Sequence, residues 1–356
     1  MRKHFFLLTA LLWVGISSIQ AQKNEVDLYE RMLAKTIHSN ILSENKIGID
    51  TVRQVHVYLP PSYHLSEHSF PVVYYLHNFF NTPETILHHH KVPGIIEKSV
   101  QSKLSGEFIF VVADFTSPTT GSLYENSTTS GLWLDFITKE LIPFVDHELR
   151  TIPKSDSRAV VGDFMGGRGA LKLAMSYPEW VSIVYALHPV ATGSGYLPRN
   201  SLDVDWEKIH QATSYDEIRG TGRTQIFASI CQAFLPNPNR PPLYADFHFE
   251  GGPDGTLEFK AEQARKEMKA FHLDETLDEN LGNLKKLKAI AFDWGRFDVT
   301  QAHVISNRRF SKKLMDLGID HMGEEFVGNP WNKYWGEEGR FVTRVLPFLS
   351  KNLKFE

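Results

Sequence analysis

The chain has one cysteine, Cys231, among 356 residues. That excludes an intramolecular disulfide, and there is no CxxC or Cys/His spacing for zinc. Neither charge is in excess, with 38 basic against 42 acidic side chains and a net charge of −4. Composition therefore gives no electrostatic case for nucleic acid or an anionic membrane as partner. The longest apolar run, residues 5–16, is too short to span a hydrocarbon core of ~30 Å comfortably. There is no internal repeat and no low-complexity tract. What remains is an ordinary globular composition, 42% hydrophobic and 22% charged, which rules out disorder, collagen and coiled coil.

The first 21 residues read as a secretory signal peptide. Arg2, Lys3 and His4 give a basic start, the run 5–16 an apolar middle, and Ser17 to Ala21 a small-residue end. Cleavage after Ala21 is expected, leaving an exported, periplasmic or secreted chain. Residues 22–356 are expected to form one domain.

Strand-like runs fall at 54–59, 72–76, 108–113, 159–161, 182–187, 289–292 and 322–327. Several are near-continuous stretches of Val, Ile and Phe, the pattern of strands buried on both faces. Helical spacing appears at 135–149, 169–176, 307–317 and 341–353. Strand alternating with helix predicts an α/β fold, a mostly parallel doubly wound sheet. Between about 191 and 284 the alternation breaks, with Pro198, Pro236, Pro238, Pro241, Pro242 and Pro253 in the stretch. This segment is expected to have no clear strand and to pack as an irregular, lid-like insertion over one edge of the sheet.

The most informative segment is Val161-Gly162-Asp163-Phe164-Met165-Gly166-Gly167. A short apolar strand enters Gly-x-x-x-Gly-Gly and leaves as a helix, the outline of the G-x-S-x-G nucleophile elbow. Such a turn is sharp and strained, and it aims its central side chain out of the sheet's carboxyl edge. Here that residue is Phe164, which has no nucleophilic atom.

Further segments carry a wider likeness. Tyr58-Leu59-Pro60-Pro61-Ser62-Tyr63, then Phe70-Pro71-Val72-Val73-Tyr74-Tyr75-Leu76-His77, together with 133–150, 284–298 and 345–353, resemble an esterase family of α/β-hydrolases. That family includes esterase D, feruloyl and acetyl-xylan esterases, enterochelin-esterase-like proteins and mycolyltransferases. The resemblance covers nearly all of residues 22–356 and implies the α/β-hydrolase fold. It also implies chemistry by a serine, an acid and a histidine, in that chain order.

Carried onto this chain, the serine position is Phe164 and the acid position Asp298, in Gly295-Arg296-Phe297-Asp298. The histidine position falls on Pro330, after the strand at 322–327, while His321 lies before that strand. Of the oxyanion-hole donors, one would be the N–H of Met165 and the other would come from the loop after His77, where Asn78, Phe79 and Phe80 follow. Backbone donors do not depend on side-chain identity. Losing the nucleophile of a serine hydrolase costs about 10⁶ in turnover.

The expectation is a non-catalytic member of that family. It would bind a small molecule, an acylated sugar or aromatic ester on the family's analogy, or a protein partner, in a cleft lined by Phe79, Met165, Asp163, His188 and Trp331. No cofactor or metal is expected. The alternative is a hydrolase, a carboxylic or carbohydrate esterase, with a relocated or residual site around His188, Asp163 and Asp298, whose side chains suit a metal or a relocated acid/base pair. His88-His89-His90 reads as a surface cluster and Cys231 as a buried small hydrophobe. Trp331, Tyr334 and Trp335 read as packing at the core or rim of the cleft.

Overall fold

A computed structural model describes residues 28–119, 121–193, 203–251, 256–331 and 334–356. The expected leader, residues 1–21, lies outside the described residues.

Eight strands form the central sheet: β1 Met32–His38, β2 Val52–Tyr58, β3 Val72–Leu76, β4 Ile109–Ala113, β5 Arg158–Asp163, β6 Ile183–Leu187, β7 Ala289–Gly295 and β8 Met322–Phe326. Their spatial order is β1-β2-β4-β3-β5-β6-β7-β8. β2 runs antiparallel to both its neighbours, β1 and β4, and all the other neighbouring pairs are parallel. β3, β4, β5 and β6 are buried along their whole length, because helices cover both faces.

One face packs against helix α2 (residues 133–148, with a wide turn in its middle) and helix α3 (Met165–Ser176). Helix α6 (Gln301–Asp316) closes the same side. The other face packs against α1 (Val92–Gln101) and α7 (residues 341–352). Among the described residues, no helix is long and apolar enough to cross a membrane.

The region 203–284 is more regular than its sequence implies. It holds helices α4 (Arg223–Phe234) and α5 (Ala261–Phe271). Contrary to expectation it also contains a two-stranded antiparallel ribbon, Phe249–Gly251 with Leu257–Phe259. The three-residue strands are too short to show a period of two in the sequence. An apolar cluster of its own, built on Trp206, Ile209, Ile218, Cys231, Leu235 and Phe247, holds the region together.

Parallel pairing puts the carboxyl ends of β3, β5, β6, β7 and β8 on one edge. Asp163 pairs with Leu187, Leu187 with Asp293, and Gly295 with Phe326. The residues that follow these five strands form the candidate site, at the edge where open α/β sheets bind ligands.

Candidate active site

The turn from β5 into α3 has the geometry its sequence implies. Phe164 sits at φ 49°, ψ −113°, a conformation costing about 1–3 kcal/mol for a residue with a Cβ. Two glycines make the turn passable. A Cβ on Gly162 would lie 2.3 Å from the carbonyl oxygen of Gly166, and one on Gly166 would lie 1.9 Å from that of Leu76. The strand-to-helix crossing therefore admits no side chain at either position. Phe164 N–H donates to Leu187 O at 3.0 Å, and Phe164 O accepts from Arg168 and Val190.

The ring of Phe164 points into the cleft. It stacks on Trp331, with centroids 4.3 Å apart and planes 20° apart, and rests edge-on against buried Tyr334. Phe80 meets Trp331 edge-on at 6.2 Å. Phe80 is 70% and Trp331 58% exposed, so the cleft opens to solvent through aromatic faces. Pro330 is buried. The 328–330 backbone packs on Gly295, where an added Cβ would meet Gly328 O at 2.7 Å and Pro330 N at 3.0 Å.

The loop after β3 is held by Asn78. Its side-chain amide donates to Asp163, and its oxygen accepts from Phe80 N–H at 2.8 Å. Tyr75 O–H donates to the other oxygen of Asp163 at 2.9 Å. Burial pushes the Asp163 carboxyl up to about 6 against the pull of these bonds. His77 is buried; its Nδ1 bonds Asn78 O and its Nε2 accepts from Phe115 N–H. Burial lowers its pKa, consistent with a neutral structural imidazole. No described residue accepts from Phe79 N–H or Met165 N–H. These two N–H groups, one after the elbow residue and one in the loop after His77, thus have no acceptor among the described residues.

The acid side of the cleft is polar and closely bonded. Asp298 follows β7 and precedes α6. Its Oδ1 accepts from Thr300 N–H at 2.8 Å, and its Oδ2 lies 2.8 Å from both His188 Nε2 and His303 Nδ1. Burial pushes this carboxyl up, but the bonds from His188, His303 and Thr300 outweigh that and hold it well below the usual carboxylate range. His188 is fully buried, and its Nδ1 accepts from Gly295 N–H at 3.0 Å. That bond puts the imidazole proton on Nε2, facing Asp298. Burial lowers the His188 pKa despite the pull of Asp298.

Of the rebuilt cluster considered from sequence, the structure brings His188 and Asp298 together. Asp163 spends its bonds on Tyr75 and Asn78 instead. The third member beside Asp298 is His303, in the first turn of α6, which sequence reading missed. It read that helix from residue 307, because apolar spacing is weak in Gln301-Ala302-His303-Val304. A histidine five residues after an acid turn was the available signal.

Three ligand atoms, from His188, Asp298 and His303, lie within 4.8 Å of one another. A cation there would need the Nε2 lone pair of His188. The Gly295 N–H on Nδ1 leaves Nε2 as the protonated nitrogen, so the residues fit a hydrogen-bonded cluster better than a metal site.

Next to these groups lies a cavity of about 360 Å³, within the range of small-ligand sites. Phe79, Phe164, Met165, His303 and Trp331 line it from the sheet side. Ile226, Phe227 and Ile230 of α4 and Phe271 of α5 line it from the 203–284 region. Arg223 at its border is paired with Asp203 at 2.8 Å. Buried Arg168 ties α3 to this wall, donating to Phe271 O at 2.8 Å and lying over the rings of Phe234 and Phe271.

The other marked residues fall elsewhere. His88 and His89 are exposed, and His90 stacks on Trp335. Cys231 is buried in the 203–284 cluster, where burial pushes its thiol up. His321 stacks on Phe292 at the amino end of β8.

Comparison with known proteins agrees with this geometry. A ferulic acid esterase structure superposes with a TM-score of 0.61 at 16% identity, covering 90% of this chain and 98% of its own. An S-formylglutathione hydrolase from Agrobacterium tumefaciens gives 0.57 at 14% identity, covering 91% and 95%. These likenesses carry the fold alone. An esterase of Mycobacterium tuberculosis is 30% identical over 134 residues, which is 35% of this chain and 26% of that protein. The chain thus spans about a quarter of the length of the curated relatives it matches. A family model described as "Putative esterase" matches residues 48–337. With that match over most of its length and the sheet order above, the chain belongs to this esterase family and has the α/β-hydrolase fold.

Proposed function

We propose that this protein is a ligand-binding member of the esterase family that does not turn over esters. The observation that carries the reading is Phe164 at the elbow, stacked on Trp331 where a nucleophile would stand. No atom of a benzyl side chain can form an acyl intermediate, and Pro330 offers no imidazole. The cleft is nevertheless a shaped recognition site. It has flat aromatic faces at its mouth, apolar walls, and two N–H donors suited to a carbonyl or carboxylate oxygen. Aromatic esters and acylated sugars are the ligand classes considered first, by analogy with the family.

The proposal treats residues 22–356 as one exported domain, with the 191–284 insertion as a wall of the cleft. An exported form beginning at Gln22 would support the export part, and an uncut chain retained in the cytoplasm would oppose it.

The direct test uses methyl ferulate and acetylated xylo-oligosaccharides. The expected result is a raised melting temperature and quenched tryptophan fluorescence with no product released. Catalytic release of ferulate or acetate, or labelling by a fluorophosphonate, would overturn the reading.

A further inference from the structure

We propose that His303 holds the base position of this cleft, so that the acid–base half of a hydrolase site is intact and only the nucleophile is missing. The inference rests on the reading that Phe164 leaves the elbow without a nucleophile.

A base in such a site needs one ring nitrogen fixed by an acid and the other presented, with its lone pair, toward the elbow. His303 meets the first condition, and its ring lies beside the elbow side chain at the edge of the cavity. Its Nδ1 lies 2.8 Å from Asp298 Oδ2. Asp298, which already accepts from Thr300 N–H and His188 Nε2–H, is an ionised carboxylate with no proton to give, so His303 donates to it and the Nδ1–H tautomer is fixed. The other nitrogen has no partner among the described residues. His303 borders the cavity, and its side chain is 28% exposed. The ring stands edge-on to Phe164 at 84°, with centroids 6.4 Å apart.

His188 cannot fill the role. It is fully buried, and both its nitrogens are spent, on Gly295 N–H and on Asp298. Its place is behind the acid, as the second donor that holds Asp298 ionised and in register. The order of Phe164, Asp298 and His303 along the chain is that of nucleophile, acid and imidazole. The imidazole has moved from the loop after β8 to the first turn of α6.

Phe164→Ser would complete the set. The introduced hydroxyl would pass its proton to His303 Nε2 as its oxygen bonds the ester carbonyl carbon. The ester C–O bond then breaks and the alcohol leaves with that proton. Water repeats the cycle, giving its proton to Nε2 and releasing the carboxylic acid and the free hydroxyl.

The test compares Phe164→Ser, Phe164→Ser/His303→Gln and Phe164→Ser/Pro330→His on p-nitrophenyl acetate, with melting curves and fluorophosphonate labelling. Phe164→Ser should label and exceed the wild type by at least about 10²-fold. Adding His303→Gln should cut kcat/KM by about 10²–10⁴-fold and remove the acid limb of its pH profile. Adding Pro330→His should bring no further gain.

The proposal is overturned if His303→Gln leaves the rate and profile unchanged, if folded Phe164→Ser is silent, or if turnover needs Pro330→His. Should Phe164→Ser not fold, nitrogen-15 NMR of the wild-type imidazole decides. An Nδ1–H tautomer supports the assignment, and Nε2–H overturns it. Turnover by the wild type would instead overturn the non-catalytic reading, and its loss in His303→Gln would leave the base assignment standing.

Discussion

The two flanks of the cleft are built on different principles. On the acid flank, one buried carboxylate accepts three hydrogen bonds, and a backbone N–H sets the tautomer of the imidazole behind it. On the elbow flank, Phe164, Phe79, Phe80 and Trp331 meet through ring contacts, with the outer rings open to solvent. The first flank depends on direction and charge and tolerates little change. The second depends on area and shape and can repack. A site can thus lose its reacting atom while the polar frame around it stays satisfied. Asp298 joins Thr300 N–H, His188 and His303 in that frame, and among these only His303 keeps a ring nitrogen without a partner among the described residues.

The sharpest way to break this contrast is Asp298→Ala. It strands the buried Nε2–H of His188 and frees His303, and should cost about 3 kcal/mol in urea unfolding. Because the carboxyl is held low when folded, its stabilisation is present above its unfolded value near ~3.9 and fades as pH falls. The gap between wild type and Asp298→Ala should therefore close in acid. A gap that stays constant with pH would deny the carboxylate its role.

Asp163, beneath the elbow, gives the opposite sign. Its carboxyl is raised to about 6, so stability is full below its unfolded value near ~3.9 and is lost as pH rises through about 6. Asp163→Asn should gain on the wild type across that window by about 2–3 kcal/mol and then level off. A pH-independent difference between the two melting curves would contradict this.

Trp331→Ala tests the aromatic flank. The side chain is mostly exposed, so unfolding free energy should change by less than about 1 kcal/mol. Affinity for an aromatic ester should fall about tenfold, read by calorimetric titration. Equal losses in both would mean that the ring packs rather than binds. The smallest effect expected is that of a chelator. If the acid flank is a hydrogen-bonded cluster, EDTA should leave the melting temperature unmoved, and a drop restored by zinc would argue for a metal.

How much of this was legible in the sequence depends on the kind of signal each part carries. β3 is read correctly to the residue, because Val72-Val73-Tyr74-Tyr75-Leu76 is a continuous apolar run between turn residues. The edge strand β1, Met32–His38, is absent from the sequence reading. It pairs on one side only, and all but one of its residues are partly or fully exposed. The elbow is legible because its glycines answer to backbone clashes, which no neighbouring side chain can relieve. Asp298 follows from its turn, whereas His303, five residues on, carries only a weak signal, because its place beside the acid is set by the start of a helix. The role of Asn78, which ties the loop after β3 to Asp163, could not be read from a linear sequence that separates them by 85 positions.

The bend holds Phe164 in a strained conformation, and the fold maintains it with a phenylalanine in that place. Gly162 and Gly166 leave the chain no room to relax, so the joint belongs to the architecture rather than to the reaction. Phenylalanine and serine codons differ by a single base. The backbone on which a nucleophile would act is already shaped, so if the cleft is silent as proposed, its distance from a reactive one is better measured in nucleotides than in ångströms.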